Sequence, residues 1–316
     1  NMNRTLLAHR FIIRCLSLPE SLVWERWLTV TGIRQNLNKD QYQVQHKSKM
    51  PEVNVTLDQA FASPETSFRR VTYANQYDAI SGRNVILIGD DDLTSIAIGL
   101  NSKKAGKPKR LVVLEVDSRI IDLITNASAE YSLDIECYLH DLKCPLPPDL
   151  KYNFSTVFTD PPYTLTGLEL FLARASETLE EGSGKQGYLS FGNKDPDTDH
   201  EVFKIISQYG FVPKEIIENF NTYDGGTIIG NVSRMIRIVS GTQRAILPRY
   251  FDRPIYTGDT NISQRSYACS LCGAKHRVGT NCLHIHIEAL KKAGCSKCGN
   301  TIFNLAAKIQ EGKNDG

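Results

Sequence analysis

The sequence predicts an α/β protein: a Rossmann-like, doubly wound sheet preceded by a helical N-terminal segment and followed by a small cysteine-rich module. Three observations carry that expectation. The apolar run Thr156–Thr159 reads as a buried parallel strand, and Asn84–Ile88, Arg110–Leu114 and Ile135–Leu139 read as three further strands of the sheet. The first and fourth runs end in acidic turns, Gly89-Asp90-Asp91-Asp92 and Asp160-Pro161-Pro162-Tyr163, at the strand ends where open α/β sheets bind ligands. Two Cys-x-x-Cys pairs, Cys269/Cys272 and Cys295/Cys298, lie near the C-terminus, each followed by glycine.

In chain order, residues 1–55 form an N-terminal accessory region, amphipathic and helical in pattern over 3–37 and polar from Asn38 to Val55. The α/β domain occupies 56–241. Its first strand, glycine turn and helix (Leu93–Leu100) open the sheet, but Gly-Asp-Asp-Asp lacks the three glycines of a dinucleotide fingerprint. Three acids there repel phosphate and favour a cation such as a sulfonium or an amine. Asp92 also suits a helix N-terminus, which leaves Asp90 and Asp91 as the ligand contacts. The second strand ends in Glu115, placed for ribose hydroxyls, while Asp117 caps the helix starting at Ser118. The third exits at His140-Asp141, which puts Asp141 near the exocyclic amine of an adenine.

At the fourth strand, two prolines remove backbone donors and stiffen the turn, with carbonyls expected to face outward unpaired. Asp160 beside a free carbonyl makes an acceptor pair for an amine, and Tyr163 adds an aromatic wall. The loop Gly182–Gly187 lacks P-loop spacing and reads as a connector to a fifth strand, Tyr188–Phe191. Asn219–Asn221 and Tyr223–Gly226 read as a flexible segment closing over an acceptor, before a last strand at Ser233–Val239.

Residues 242–266 read as a linker and 267–310 as a four-cysteine zinc ribbon, with Cys269, Cys272, Cys295 and Cys298 as Zn2+ ligands. His276, Cys282, His284 and His286 are rival ligands, although His284-Ile285-His286-Ile287 alternates like one strand. Lys275, Arg277, Lys291, Lys292 and Lys297 make the module basic, so contact with nucleic acid stands beside a lid or a homodimer contact as its role.

The strings Gly89–Ser95 and Asp160–Thr164, with Gly167 and Leu170-Phe171-Leu172, resemble the branched-chain polyamine synthase family. These are aminopropyltransferases related in fold to S-adenosylmethionine methyltransferases. The resemblance continues through Gly187-Tyr188-Leu189, Gly210-Phe211-Val212 and Asn219–Tyr223, and upstream through Leu57-Asp58-Gln59, Glu65-Thr66 and Arg69, covering roughly residues 56 to 240. It implies a methyltransferase-type sheet and transfer of the aminopropyl group of decarboxylated S-adenosylmethionine to a secondary amine of spermidine. It also implies that Asp160 accepts the amine proton, with Tyr163 beside it. Gly89, Asp90, Asp91, Glu115, Asp141 and Pro161 then line the donor site, and Gln59, Asn221 and Tyr223 contact the substrate. The cysteine module replaces the acidic tail associated with the family.

Composition fits such an enzyme. A chain of 316 residues, 41% hydrophobic, can bury one α/β core and a small accessory domain. A net charge of +2 is too mild to argue for nucleic acid, and no stretch approaches the roughly twenty apolar residues of a membrane span. With no signal peptide visible, a cytoplasmic protein with reduced Cys15, Cys137, Cys144 and Cys282 is expected. The alternatives are an S-adenosylmethionine-dependent methyltransferase acting on an exocyclic base amine, since Asp-Pro-Pro-Tyr also resembles that motif, and a binding protein that kept the fold.

Overall fold

The computed structural model describes residues 50–224, 232–242, 250–257, 264–279, 282–284 and 287–309. The chain divides into two units, 1–48 and 49–316, and the helical expectation for 3–37 lies outside the described residues.

A seven-stranded sheet has the order β3-β2-β1-β4-β5-β7-β6. Its strands are β1 (Asn84–Ile88), β2 (Arg110–Glu115), β3 (Glu136–Leu139), β4 (Thr156–Thr159), β5 (Gln186–Phe191), β6 (Phe211–Thr222) and β7 (Val232–Ser240). The first five pair in parallel, and β7 runs antiparallel to both β5 and β6. Val85–Ile88, Leu111–Leu114 and Thr156–Thr159 are buried throughout, as strands covered on both faces must be, which is why they read as unbroken apolar runs. The order reverses between β1 and β4, and both acidic turns lie at that switch point.

The helices are α1 (Pro64–Asn75), α2 (Thr94–Ala105), α3 (Ser118–Tyr131), α4 (Leu165–Thr178) and α5 (Pro196–Gln208). Their starts are written in the sequence. Ser63 accepts from Thr66 N ahead of Pro64, Asp117 from Arg119 N, Thr164 from Gly167 N, and Asp195 from Thr198 N ahead of Pro196. The core joins Ile86 and Ile88 of β1 to Leu168, Leu172 and Ala175 of α4.

Two expectations change. Asn219–Asn221 is not a flap: it ends the twelve-residue strand β6, with Phe220 2% and Asn221 0% exposed. Residues 250–257, expected as linker, pack onto the α/β core, where Phe251 and Ile255 are buried.

The C-terminal module is a three-stranded antiparallel sheet, β10-β8-β9, formed by β8 (Gln264–Cys269), β9 (Lys275–Val278) and β10 (Phe303–Ile309). Of the strand expected across His284–Ile287, residues 285 and 286 lie outside the described residues; His284 makes one bridge to Val278, and Ile287 begins the short helix α6 (Ile287–Ala293). No described helix is long and apolar enough to cross a membrane.

Candidate active site

An open cleft of about 920 Å³ lies at the C-terminal ends of β1, β2, β3 and β4. Its described lining carries five carboxylates, Asp58, Asp91, Glu115, Asp141 and Asp160, and neither lysine nor arginine. Tyr163, Phe171, Tyr223 and Tyr256 supply aromatic wall. Charge of one sign between low-dielectric walls concentrates ions of the other.

Asp160 is fixed by Arg70, which sequence reading did not name, and by Tyr223. Its Oδ2 accepts from Arg70 Nη2 at 2.8 Å and from the Tyr223 hydroxyl at 2.7 Å. The same guanidinium donates to Asp92 Oδ2 at 2.6 Å and, through Nε, to Asn221 Oδ1 at 2.9 Å. The Tyr163 hydroxyl donates to Tyr223 at 2.8 Å, and the Tyr163 ring rests edge-on against Phe191. Burial, reinforced by Asp92 and opposed by Arg70 and Tyr223, holds the Asp160 carboxyl well above the usual carboxylate range. Burial works against the charge on Arg70, but Asp92 and Asp160 outweigh it and raise its pKa further.

The acidic turn divides its labour differently from the sequence expectation. Asp92 is no helix cap: it accepts from Ala62 N at 2.7 Å and neutralises Arg70. Leu93 holds the cap position of α2 with φ 53° and no side-chain bond. Asp90 takes over that work, its carboxylate accepting from Ser95 N at 3.2 Å while 2% exposed, so it lies beneath the cleft. Asp91 lines the cleft and has no hydrogen-bond or ion-pair partner among the described residues. Burial and then repulsion from Asp92, Glu115, Asp160 and Asp90 push its carboxyl well up. Gly89, with φ 76°, allows the turn, and a Cβ there would meet the Phe171 ring at 3.3 Å.

Glu115 lies in the cleft and accepts three backbone N–H groups, from Asp90, Val116 and Asp117, at 2.9, 2.7 and 2.9 Å. Burial raises its pKa, with those three bonds in opposition. Asp141 is at the rim and accepts from Lys143 N at 2.9 Å. Gln59 lines the cleft, though its amide donates to Asp117 at 3.0 Å and accepts from Asn54 N at 2.9 Å. Pro161 and Tyr223 face the cleft, whereas Asn221 is behind it, gripping Arg70 and donating to Ser233 at 2.9 Å. The Pro162 carbonyl is not free, since it accepts from Thr164 N at 2.8 Å, and the Tyr163 carbonyl accepts from Lys194 Nζ at 2.8 Å.

Arg70 was missed because nothing local distinguishes it from Arg69, which instead donates to the Phe220 carbonyl at 2.6 Å. A weak signal existed: both sit on α1, whose buried face includes Thr66, Ser67, Tyr73 and Ala74, and at helical spacing Arg70 joins that face. The strap 250–257 was also missed. Thr164 Oγ1 donates to the Ile255 carbonyl at 2.6 Å, and Thr257 N donates to Asp58 Oδ2 at 2.6 Å. Two strap residues thus tie to Thr164 and to Asp58, and Ile255, Tyr256 and Thr257 line the cleft.

In the C-terminal module, the sulfurs of Cys269, Cys272, Cys295 and Cys298 all lie within 4.8 Å of one another. Cys282 and His284 are not in that group, and His286 lies outside the described residues.

A parallel sheet closed by an antiparallel β7, with a carboxylate-lined cleft at its switch point, defines the methyltransferase-like α/β class. Within that class the chain belongs to the branched-chain polyamine synthase family: residues 38–255 match the model described as Branched-chain polyamine synthase A C-terminal domain. The uncharacterised protein MJ0675 of Methanocaldococcus jannaschii is 36% identical over 259 residues, 81% of this chain and 62% of that protein. An N(4)-bis(aminopropyl)spermidine synthase of Thermococcus kodakarensis is 36% identical over 177 residues, 55% of this chain and 49% of that one. The chain thus matches about half to three-fifths of the length of these relatives. The crystal structure of the Thermus thermophilus branched-chain polyamine synthase, in complex with N4-aminopropylspermidine and 5′-methylthioadenosine, superposes with a TM-score of 0.61. It is 28% identical, over 68% of this chain and 67% of that one.

Proposed function

We propose that this chain is an aminopropyltransferase that moves the aminopropyl group of decarboxylated S-adenosylmethionine onto an amine of a spermidine-like polyamine. The observation that carries the reading is the cleft lining: five carboxylates and no described lysine or arginine. A polyamine and a donor bearing both a sulfonium and an amine are cations. Intact S-adenosylmethionine would bring a carboxylate against Asp91, and a nucleic acid would bring phosphates, so methylation of a base amine fits this lining poorly.

The acceptor amine attacks the methylene carbon next to the sulfonium. The carbon–nitrogen bond forms, the carbon–sulfur bond breaks with its electron pair staying on sulfur, and 5′-methylthioadenosine leaves. The amine needs its lone pair, so its proton goes to Asp160, whose raised pKa makes it a stronger base than an ordinary carboxylate. Arg70 and Tyr223, both bonded to Oδ2, fix its orientation. Glu115 and Asp141 hold the nucleoside side of the donor, and Tyr163, Tyr223 and Tyr256 flank the acceptor. A second reading gives the proton to Asp91, because it lines the same cleft without a described partner. Zn2+ at the four-cysteine cluster belongs to this proposal as a structural ion outside the transfer.

Asp160→Asn and Asp91→Asn, each assayed with decarboxylated donor and spermidine and titrated with 5′-methylthioadenosine, test the assignment. Loss of turnover in Asp160→Asn with nucleoside binding retained supports it. Turnover that survives in Asp160→Asn and vanishes in Asp91→Asn moves the base to Asp91. No aminopropylated product from the wild-type chain overturns the proposed function.

A further inference from the structure

The C-terminal module is folded around its cysteines in a way that specifies both the ligand set and what surrounds it. Cys269 Sγ lies 3.5 Å from Cys298 Sγ, and Cys272 Sγ lies 3.6 Å from Cys295 Sγ. A disulfide would bring each pair to about 2.05 Å. Four thiolates bound to one tetrahedral ion at about 2.3 Å stand roughly 3.8 Å apart. The observed pairs match the second geometry.

The two Cys-x-x-Cys-Gly segments fold into the same turn. Gly273 N donates to the Cys269 carbonyl at 2.9 Å, and Cys269 N to the Ala274 carbonyl at 2.8 Å. Gly299 N and Cys295 N repeat this with Cys295 and Asn300, at 2.7 and 2.8 Å. Gly273 and Gly299 have φ of 69° and 73°, which explains the glycine after each pair. Each turn sends two sulfurs to one point.

Two side chains touch the sulfurs from outside. Asn300 Nδ2 lies 3.3 Å from Cys269 Sγ, while its two N–H groups have shorter partners in the Ser270 hydroxyl at 2.9 Å and the Ile302 carbonyl at 2.8 Å, the first tying one turn to the other. His276 Nε2 lies 3.2 Å from Cys295 Sγ, its ring held edge-on to Phe303 at 5.3 Å. On β9 it points opposite to the exposed Lys275 and Arg277, as strand alternation requires. His276 reaches one sulfur and is not part of the group whose atoms all lie together.

We infer that Cys269, Cys272, Cys295 and Cys298 bind one zinc ion as a closed tetrathiolate, and that His276 is an N–H···S donor to it and not a ligand. This rests on the zinc reading above and specifies how that site is built. Donors of this kind offset part of the negative charge that four thiolates place on one divalent ion, so they strengthen binding without entering the coordination shell. With four protein ligands the site has no open position, which makes it structural.

The test uses the full chain purified under reducing conditions, with metal counted by mass spectrometry and zinc affinity measured against a chromophoric chelator. Cobalt-substituted protein reports the ligand set through its visible bands, which differ between four sulfurs and three sulfurs with one nitrogen. Expected are one zinc per chain, a four-sulfur cobalt spectrum unchanged in His276→Ala, and a fall in zinc affinity of about 10- to 100-fold in that variant. Cys295→Ser should lose stoichiometric zinc. A cobalt spectrum that changes from three sulfurs with one nitrogen in wild type on His276→Ala makes the histidine a ligand and overturns the inference. Unchanged affinity in His276→Ala removes its role as donor. A wild-type chain that binds no zinc on reconstitution sinks the underlying zinc reading. Circular dichroism of each variant separates loss of metal from loss of the α/β fold.

Discussion

Replacing Arg70 by glutamine removes a cation that two carboxylates share. Arg70 is 4% exposed, and the side chains of Asp92 and Asp160 are 4% and 13% exposed, so water cannot take its place. Removing one partner of a buried ion pair costs roughly 3–5 kcal/mol, because the other charge stays buried and unpaired. Here Asp92 is left without its cation, and the bonds to Asp160 and Asn221 are lost as well, so a loss of about 5 kcal/mol is expected. The cost should shrink as pH falls, because Asp160, whose carboxyl is held well above the usual carboxylate range, takes up a proton. Arg70 opposes the upward shift of Asp160, so its loss raises that pKa further, and the acidic limb of the pH–rate profile moves to higher pH. Urea unfolding across pH and the pH dependence of aminopropyl transfer measure the two effects. Arg70→Lys keeps the charge but not the fork, and should fall between. A loss below about 1 kcal/mol, with the acidic limb in place, would refute the claim that this guanidinium organises the site.

The carboxylate cluster makes stability fall as pH rises. Asp90, Asp91, Glu115 and Asp160 have folded-state pKa values above their ordinary ones, so the folded chain holds protons that the unfolded chain releases. The slope should be negative from about pH 4 upward, and spermidine should flatten it; a stability that rises with pH over that window would contradict the assigned shifts. Gly192→Ala places a Cβ 2.7 Å from Tyr163 Cδ2, which forces the ring away from Phe191 and from the Tyr223 hydroxyl. Turnover should drop by at least about tenfold with a stability cost of roughly 1–3 kcal/mol, and unchanged steady-state kinetics would show that the ring position is unimportant.

The strands were legible because a parallel sheet buried on both faces demands unbroken apolar runs, and β1, β2 and β4 read that way. The caps Asp117 and Thr164 act over three residues or fewer, and Asp117 was anticipated for that reason. Asp160, Asp91, Glu115 and Asp141 were named because each lies just after a strand, where the fold class alone puts ligands. Asp90, expected at the ligand, took the capping bond expected of Asp92, because three adjacent acids offer no local rule for which one turns inward. That choice was made by Ala62 N and Arg70, which reach Asp92 from the preceding segment and α1. β6 was misread at Asn219–Asn221 because two asparagines suggest a loop, yet Asn221 finds Arg70, Ser233 and the Arg234 carbonyl and is buried at no polar cost.

By itself the sequence determined the fold class, the two acidic turns and the four cysteines, since each depends on neighbours close along the chain: strand periodicity, turn chemistry and Cys-x-x-Cys-Gly spacing. Tertiary structure alone decided that Arg70 binds Asp160 across 90 residues, that Tyr223 reaches it from just beyond the edge strand β6, and that the strap at 255–257 ties to Thr164 and Asp58. Those contacts join segments whose separation leaves no periodic trace. They arise only when burial of the shared core brings the segments together, and they set the charge, basicity and shape of the cleft.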